Sequence, residues 1–357
     1  TTAWLAAPSE HLSLAFAPSL VQVMLLALTL VLFSARSFRR GFLTVSILLI
    51  VVSIATETFL RLSRAPSDAV RVTFLAVGQG DSTLIEFPNG AVMLVDGGGS
   101  LVGDDRVGPR VLVPFLRRKR ISRIDWVVLS HPHNDHAGGL TAVVKSMEVG
   151  EVWASGQPWD GPVLKKLEAL ISARRIPLRT PPPVSTCDSS HLWICLVHPV
   201  TKPGQAAFFE DLSVNSNSLV LRLDFGRLRL LLTGDIEADV ESELAGSRLD
   251  LRAEILKVPH HGSRTSSTDD FIAAVRPSIA VASLGRANPF RFPHPVVVDR
   301  YRARGVRLLR TDTDGQISIE TSATYTHLRT FVTRQSFTLP QQIRQPVDNP
   351  SVGGESG

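Results

Sequence analysis

Cysteine is nearly absent from this sequence. Cys187 and Cys195 are the two it has among 357 residues, too few for a disulfide framework or a thiolate zinc site. They share the segment STCDSSHLWIC, where a single bond could form in an oxidising compartment, although two unpaired thiols are the preferred reading. Lysine is missing altogether from residues 1–65, which hold five arginines (Arg36, Arg39, Arg40, Arg61, Arg64) and two acids (Glu10, Glu57). Positions 66–357 then carry 33 basic against 31 acidic residues, so the pI of 9.6 does not reflect a strongly cationic body. Binding of a polyanion through the overall field is thereby excluded, and would need a local patch or a metal. With 44% apolar residues and a mean hydropathy of +0.13, the chain is too apolar to be disordered. It starts at Thr1 rather than Met, which predicts a processed product or a fragment of a longer one.

The apolar excess is concentrated at the start. Leu12–Phe33 reads LSLAFAPSLVQVMLLALTLVLF with no charge, and 41–60 reads GFLTVSILLIVVSIATETFL with one acid near its end. Each run is long enough to cross a hydrocarbon core of roughly 30 Å as a helix. A buried helical hairpin is the competing reading, and a signal peptide fits less well because it has one shorter run. The connection SARSFRR carries three arginines. The positive-inside rule puts that loop in the cytoplasm and everything after Leu60 on the opposite side of the membrane. Residues 1–65 are therefore expected to be a multi-pass membrane segment.

After residue 65 the pattern changes to short apolar runs alternating with helical stretches. VRVTFLAV (70–77), STLIEFP (82–88) and AVMLVDGG (91–98) are predicted strands, the last two joined by Asn89-Gly90, a hairpin signal. Helices are expected over 107–120, 138–147, 161–174, 236–246, 269–275 and 295–304. Strands are expected at 124–130, 151–154, 193–197, within 217–235, at 253–258 and 278–285, and in two final runs, VRLLR and QISIE. Such alternation indicates a layered α/β domain over 66–322. The polar, Gln- and Pro-containing stretch 323–357 reads as a disordered tail.

Histidines and aspartates collect at the ends of these strands. SHPHNDHAGGL (130–140) offers His131, His133, Asp135 and His136 within six residues. Three imidazoles and a carboxylate so placed can converge on one or two metal ions. LLLTGD delivers Asp235 after an apolar run; a carboxylate there can bridge two cations or cap the next helix. KVPHHGS adds His260 and His261. Asp96 in LVDGGG and Asp81 in GQGD are candidates to orient a ligating imidazole, Asp96 with a simple turn role as its alternative. Imidazole and carboxylate ligands suit Zn²⁺ or Mn²⁺, either of which acidifies bound water. Ser263, Arg264 and Ser266 follow the histidine pair and could touch phosphate. His294, in FPHP, could donate a proton to a leaving oxygen or simply pack. The basic run Arg117–Arg120 reads as a solvated helix end.

Taken in order, Asp96, the H-x-H-x-D-H of 131–136, Asp235 and the late histidine pair resemble the metallo-β-lactamase superfamily. FLAVGQGDSTLIEFPNG (74–90), NSLVLRLDFGRLRLLLTGD (217–235), ILKVPHHGSRTSS (255–267) and NPFRFPHP…RTDTDGQISI (288–319) narrow the likeness to the C-terminal domain of ComEC-type DNA-internalisation proteins, over about residues 70–320. The resemblance implies a metallo-β-lactamase-like four-layer αβ/βα sandwich holding a divalent metal centre. It implies that His131 and His133 hold one ion, that Asp135, His136 and His261 or His260 hold another, and that Asp235 lies between them. It implies a metal-dependent hydrolase of phosphodiesters, with DNA as substrate and the rest of an uptake channel and competence proteins as partners. Asp135 or Asp235 would orient the attacking water. One departure stands out: many superfamily members have a further histidine about twenty residues before the bridging Asp, where this chain has Asn215 and Asn217 in DLSVNSNSLV. Hydrolysis of a small phosphodiester, a phosphorylcholine ester or a β-lactam, and a non-catalytic channel-docking module, are the alternatives.

Overall fold

The computed structural model describes residues 20–34, 41–62, 68–99, 106–180, 194–199, 208–225, 228–322 and 324–339. The chain opens with two apolar helices, α1 (Leu20–Ser34) and α2 (Gly41–Leu62). Among the described residues no helix is long and apolar enough to cross a membrane. α1, which holds the described part of the first expected span, has 15 residues, about 22 Å at 1.5 Å per residue. The second has 22 residues and includes Glu57 and Arg61. The two expected spans thus appear as apolar helices below that criterion, and the arginine-rich connection lies outside the described residues.

Fifteen strands follow among the described residues. The first six are β1 (Ala69–Phe74), β2 (Thr83–Glu86), β3 (Val92–Val95), β4 (Arg123–Leu129), β5 (Glu148–Ala154) and β6 (Leu178–Arg179). Next come β7 (Ile194–His198), β8 (Val220–Phe225), β9 (Leu228–Leu232), β10 (Ile255–Lys257), β11 (Ile279–Ala282) and β12 (Arg307–Arg310). β13 (Ile317–Ser322), β14 (Thr326–Thr330) and β15 (Ser336–Thr338) complete the set. They form a nine-stranded sheet in the order β15-β14-β13-β1-β2-β3-β4-β5-β6 and a six-stranded sheet in the order β12-β11-β10-β9-β8-β7.

The period-2 alternation of each strand sets its two faces. In β2 and β3, Ile85 and Met93 face the second sheet, where they join Leu221, Leu230, Ile255 and Val281. Their neighbours Leu84 and Leu94 face outward and pack under Leu116, Leu140, Val143, Leu164 and Leu167. The helices supplying those residues are α3 (Val113–Arg118), α5 (Leu140–Ser146) and α6 (Pro162–Ala173). On the far side, Leu231, Leu256 and Ala280 pack against Val240, Phe271, Ile272, Val297 and Tyr301. These come from α7 (Ala238–Gly246), α8 (Asp269–Val275) and α9 (Pro295–Ala303). The result is the expected four layers, αβ/βα. Each fully buried large apolar side chain contributes roughly 1.5–3 kcal/mol relative to exposure.

Two expectations need correction. The stretch from 323 is not a tail throughout: β14 and β15 extend the large sheet, with Thr326, Leu328 and Thr330 buried on alternate positions. Residues 340–357 lie outside the described residues. Cys195, on β7, is disulfide-bonded rather than a free thiol; Cys187, the chain's other cysteine, also lies outside them. The helix expected over 138–147 is α5, preceded by a short helix, α4 (Asn134–Ala137), the two parted at Gly138-Gly139. A Cβ on Gly139 would sit 2.1 Å from the Gly97 carbonyl oxygen, so only glycine lets these loops approach so closely.

What this architecture does for the site follows from strand direction. β3, β4 and β5 run parallel, as do β9, β10 and β11. Their carboxyl ends therefore open on one edge of the sandwich, where ligand-bearing loops of parallel sheets gather. Asp96, Ser130-His131, Asp235 and His260-His261 all lie just past such ends.

Candidate metal centre

Four buried side chains from four loops meet at this edge. One ligand atom each from Asp81, His136, Asp235 and His261 lies within 4.8 Å of all the others. His136 Nε2 and His261 Nε2 are each 3.3 Å from the same oxygen, Asp235 Oδ2. Asp135 Oδ2 is 3.6 Å from His261 Nε2.

The other nitrogen of each imidazole is already committed. His136 Nδ1 lies 2.9 Å from Asp96 Oδ2, and His261 Nδ1 lies 2.7 Å from the Ser283 carbonyl oxygen. Since a carbonyl only accepts, His261 Nδ1 carries a proton; the carboxylate fixes His136 in the same way. Both Nε2 atoms then face the cluster, and neither has a hydrogen-bond partner. Asp96 is itself anchored, accepting from the Ser130 backbone N–H at 2.8 Å and from Ser130 Oγ at 2.7 Å.

Backbone strain aims the late pair. His260 and His261 have φ of 45° and 54°, a left-handed conformation that side chains larger than glycine's adopt at a cost of about 1–3 kcal/mol. Across the cluster, a Cβ on Gly80 (φ +110°) would lie 2.0 Å from the Asp135 carbonyl oxygen. Gly80 thus seats the Asp81 loop directly on the His131–His136 segment.

The histidines expected to hold a first ion are placed differently. His131 Nε2 is 3.0 Å from His133 Nδ1, and His131 Nδ1 is 3.1 Å from Ser130 Oγ. The two rings are bonded to one another beside the four-residue cluster, with the His131 and His136 ring centroids 4.2 Å apart. His260 is at the rim: Nδ1 is 3.2 Å from Glu237 Oε1, and Nε2 is 3.4 Å from Asn215 Nδ2 and 4.0 Å from Asp235 Oδ2. Asn215 thus stands near the pair, while Asn217 binds the backbone of Phe209 and Leu212.

Of the phosphate candidates, Ser266 Oγ donates to the Pro259 carbonyl at 2.9 Å and Ser263 Oγ pairs with Thr265 at 2.9 Å, so both brace the histidine turn. Arg264 is exposed. His294 is half-buried and caps α9, its Nδ1 accepting from the Val296 N–H at 3.3 Å.

Lys257 is the residue that sequence reasoning left out. Fully buried at the end of β10, it forms an ion pair with Asp81 Oδ2 and lies 3.3 Å from Asp235 Oδ1. It donates to the Gly234 carbonyl at 2.7 Å. Its signal was a lone cation closing the apolar run Ile255-Leu256, a position where an unpaired charge would be prohibitive.

Electrostatics describe a site rich in negative charge. Burial opposes ionisation of His136, yet Asp235 and Asp96 carry it well above the ordinary histidine value. Burial likewise opposes charge on His261, and Asp235 with Asp81 raises it to about 10. Asp235 is held far below the carboxylate range despite burial, by His261, His136 and Lys257. His131 goes the other way, pushed well down by burial and by neighbouring His136.

A model of the metallo-β-lactamase superfamily matches residues 75–186, which span the first half of this site. The chain is 32% identical over 315 residues to the competence protein ComA of Neisseria gonorrhoeae, covering 88% of this chain and 40% of that protein. It is 30% identical over 258 residues to ComE operon protein 3 of Bacillus subtilis, covering 69% and 32%. It is 32% identical over 249 residues to Recombination protein 2 of Haemophilus influenzae, covering 70% and 28%. The chain is ComEC-type, with a metallo-β-lactamase fold. It spans less than half the length of these curated relatives. Among solved structures it is similar to a metallo hydrolase from the archaeon Ignicoccus hospitalis, at 14% identity and a TM-score of 0.45, covering 70% of this chain and 98% of that one.

The residues of this ComEC-type site fit a divalent cation. Four carboxylates (Asp81, Asp96, Asp135, Asp235) and one lysine are buried here, and the Nε2 atoms of two imidazoles point inward without hydrogen-bond partners. A divalent ion would offset the charge of those carboxylates in place of protons on the imidazoles. The donor set, two imidazoles and two or three carboxylates, suits Zn²⁺ or Mn²⁺.

Proposed function

We propose that this chain is a membrane-anchored, metal-dependent hydrolase of phosphodiesters, acting on DNA in uptake across a bacterial inner membrane. The observation that carries the reading is the convergence of Asp81, His136, Asp235 and His261, with both Nε2 atoms unpartnered. In this reading those four, with Asp135, hold the divalent ion, and His131 with His133 offers a second position once their mutual hydrogen bond opens. When bound, the ion acidifies water and offsets charge developing on a phosphate.

The protein's own contribution is orientation. Asp96 and Ser283 fix which nitrogen of each imidazole faces the site. Lys257 holds the far oxygen of Asp235, leaving Oδ2 toward the cluster. Asp135 and Asp235 are placed to orient the attacking water, and half-buried His133 and His260 mark the side from which substrate enters. Relatives named as competence and recombination proteins support DNA as the substrate class and the remaining channel and competence proteins as partners.

Anchoring is supported by the helices. Met24, Leu26, Leu30 and Val31 on α1, and Leu48, Ile54 and Phe59 on α2, are each more than half exposed. Apolar surface of that extent calls for lipid or further protein around it. The arginines of SARSFRR favour a cytoplasmic connection, which puts the hydrolase domain outside; the disulfide at Cys195 agrees with an oxidising compartment.

The test is a substrate panel for the purified full chain in detergent, with Mn²⁺, Zn²⁺ or chelator. Single- and double-stranded DNA, a small aryl phosphodiester, a phosphorylcholine ester and a chromogenic β-lactam are compared. Cleavage of DNA that needs metal and is lost in an Asp135→Ala, His136→Ala double variant is expected. Turnover of another substrate in its place would refute the DNA reading, and no turnover with folded, metal-loaded protein would favour a docking role.

A further inference from the structure

A continuous run of rings leads from the metal cluster to the surface. His136 and His261 have centroids 5.4 Å apart, and His261 and His260 are 6.3 Å apart. His260 meets Phe292 edge-on at 5.9 Å. Phe292 stacks on Phe290 at 5.2 Å, with the planes 23° apart. Phe290, at the outer end, is 44% exposed.

The loop bearing the two phenylalanines is built rather than floppy. Asn288 clamps it, accepting from the Phe292 N–H at 2.8 Å and donating to the Phe292 carbonyl at 2.9 Å. The His294 N–H donates to the Gly262 carbonyl at 2.8 Å, tying the loop to the histidine turn. At its other end the Gly285 N–H donates to Gln79 Oε1 at 3.4 Å, beside the Asp81 loop. Phe292 is half-buried and Phe290 exposed, and packing does not explain that outer ring, held this firmly against the site.

Cations accompany it. Arg291, between the two phenylalanines, and Arg264, three residues past His261, are exposed and have no carboxylate partner among the described residues. Other arginines of this domain are paired with carboxylates, for example Arg229 with Asp250 and Arg310 with Asp312.

We propose that Phe290 and Phe292 are a base-stacking platform that guides an unpaired nucleic-acid strand to the metal cluster, with Arg291 and Arg264 taking its phosphates. The inference rests on the phosphodiester reading of that cluster and adds the form of substrate it accepts. A flat, exposed ring backed by a stacked neighbour matches the π-face of any base, and that face is available in a single strand but stacked away in a duplex. The adjacent unpaired guanidiniums match the phosphates between bases. A protein partner would be served by an apolar ring pair, but has less use for exposed cations without carboxylate partners among the described residues beside it.

The experiment separates binding from cleavage. The full chain in detergent, with chelator so that nothing is cut, is titrated against a labelled oligothymidylate, an abasic strand of equal length and a duplex. Phe290→Ala is expected to weaken oligothymidylate binding about ten-fold and to leave the abasic strand unchanged, while Phe290→Trp keeps wild-type binding. Arg291→Ala is expected to weaken both single strands and to flatten their salt dependence. Equal affinity of Phe290→Ala and wild type for oligothymidylate overturns the platform. So does equal loss on the abasic strand, or a preference of the wild type for duplex. If the platform results hold but no metal supports cleavage, the phosphodiester reading fails while the stacking surface stands.

Discussion

Lys257 Nζ lies 3.3 Å from Asp235 Oδ1, on the opposite oxygen from the one that His136 and His261 face. One carboxylate therefore joins an internal cation to the ligand cluster. The same ammonium pairs with Asp81, so a single buried lysine steadies both carboxylates that an ion would use.

Removing that charge should be costly. Lys257→Met leaves Asp81 and Asp235 buried without their cation, and breaking one side of a buried pair costs about 3–5 kcal/mol. Urea denaturation in chelator should show a loss of that order. Added Mn²⁺ should restore more stability to this variant than to wild type, because the ion supplies the missing charge. An unchanged midpoint in chelator would mean that Lys257 does not compensate these carboxylates.

Asp96 acts through His136. Asp96→Asn keeps the shape but replaces the oxygen that meets His136 Nδ1 and Ser130 Oγ with an amide group, in at least one orientation a donor facing a donor. Loss of such a supporting carboxylate weakens metal binding about 10- to 100-fold. Calorimetric titration with Mn²⁺ or Zn²⁺ should show this drop, with circular dichroism unchanged. Wild-type affinity would remove Asp96 from the account.

One source of pH dependence lies away from the cluster. His198 is buried, its Nε2 2.9 Å from the Ser216 carbonyl, and burial lowers it to about 4 from 6.5. Between those values the unfolded chain binds more protons than the folded one, so stability rises with pH. The contribution is present above pH 6.5 and is lost as pH falls toward 4, by about 3 kcal/mol at 1.36 kcal/mol per unit. Denaturation at pH 7, 5.5 and 4.5 should show the decline, and His198→Gln should flatten it. An identical slope in that variant would assign the acid sensitivity elsewhere.

Much of the site was legible because its side chains are grouped along the chain at strand ends. Asp135 and His136 stand with His261 and Asp235 once the parallel strands open on one edge. The alternative for Asp235, a helix cap, gives way: α7 is preceded by Glu237, and Asp235 is buried against two imidazoles. Asp81, expected to orient a ligand, stands within the cluster itself because Gly80 brings its loop against Asp135, a contact between distant segments that spacing does not encode. Lys257 escaped notice for the same reason: its partners are 176 and 22 residues away. In β14 the alternation of Thr326, Leu328 and Thr330 was masked by its polar residue types, two of the three inward side chains being threonines.

Metal content tests the central claim most directly. The full chain is loaded with Mn²⁺ or Zn²⁺, freed of unbound ion, and assayed by elemental analysis beside Asp235→Asn and His261→Gln. The account predicts at least one tightly held ion per wild-type chain and its loss in both variants, with the fold preserved by circular dichroism. Equal metal content in all three, or none in a folded wild type, would contradict it.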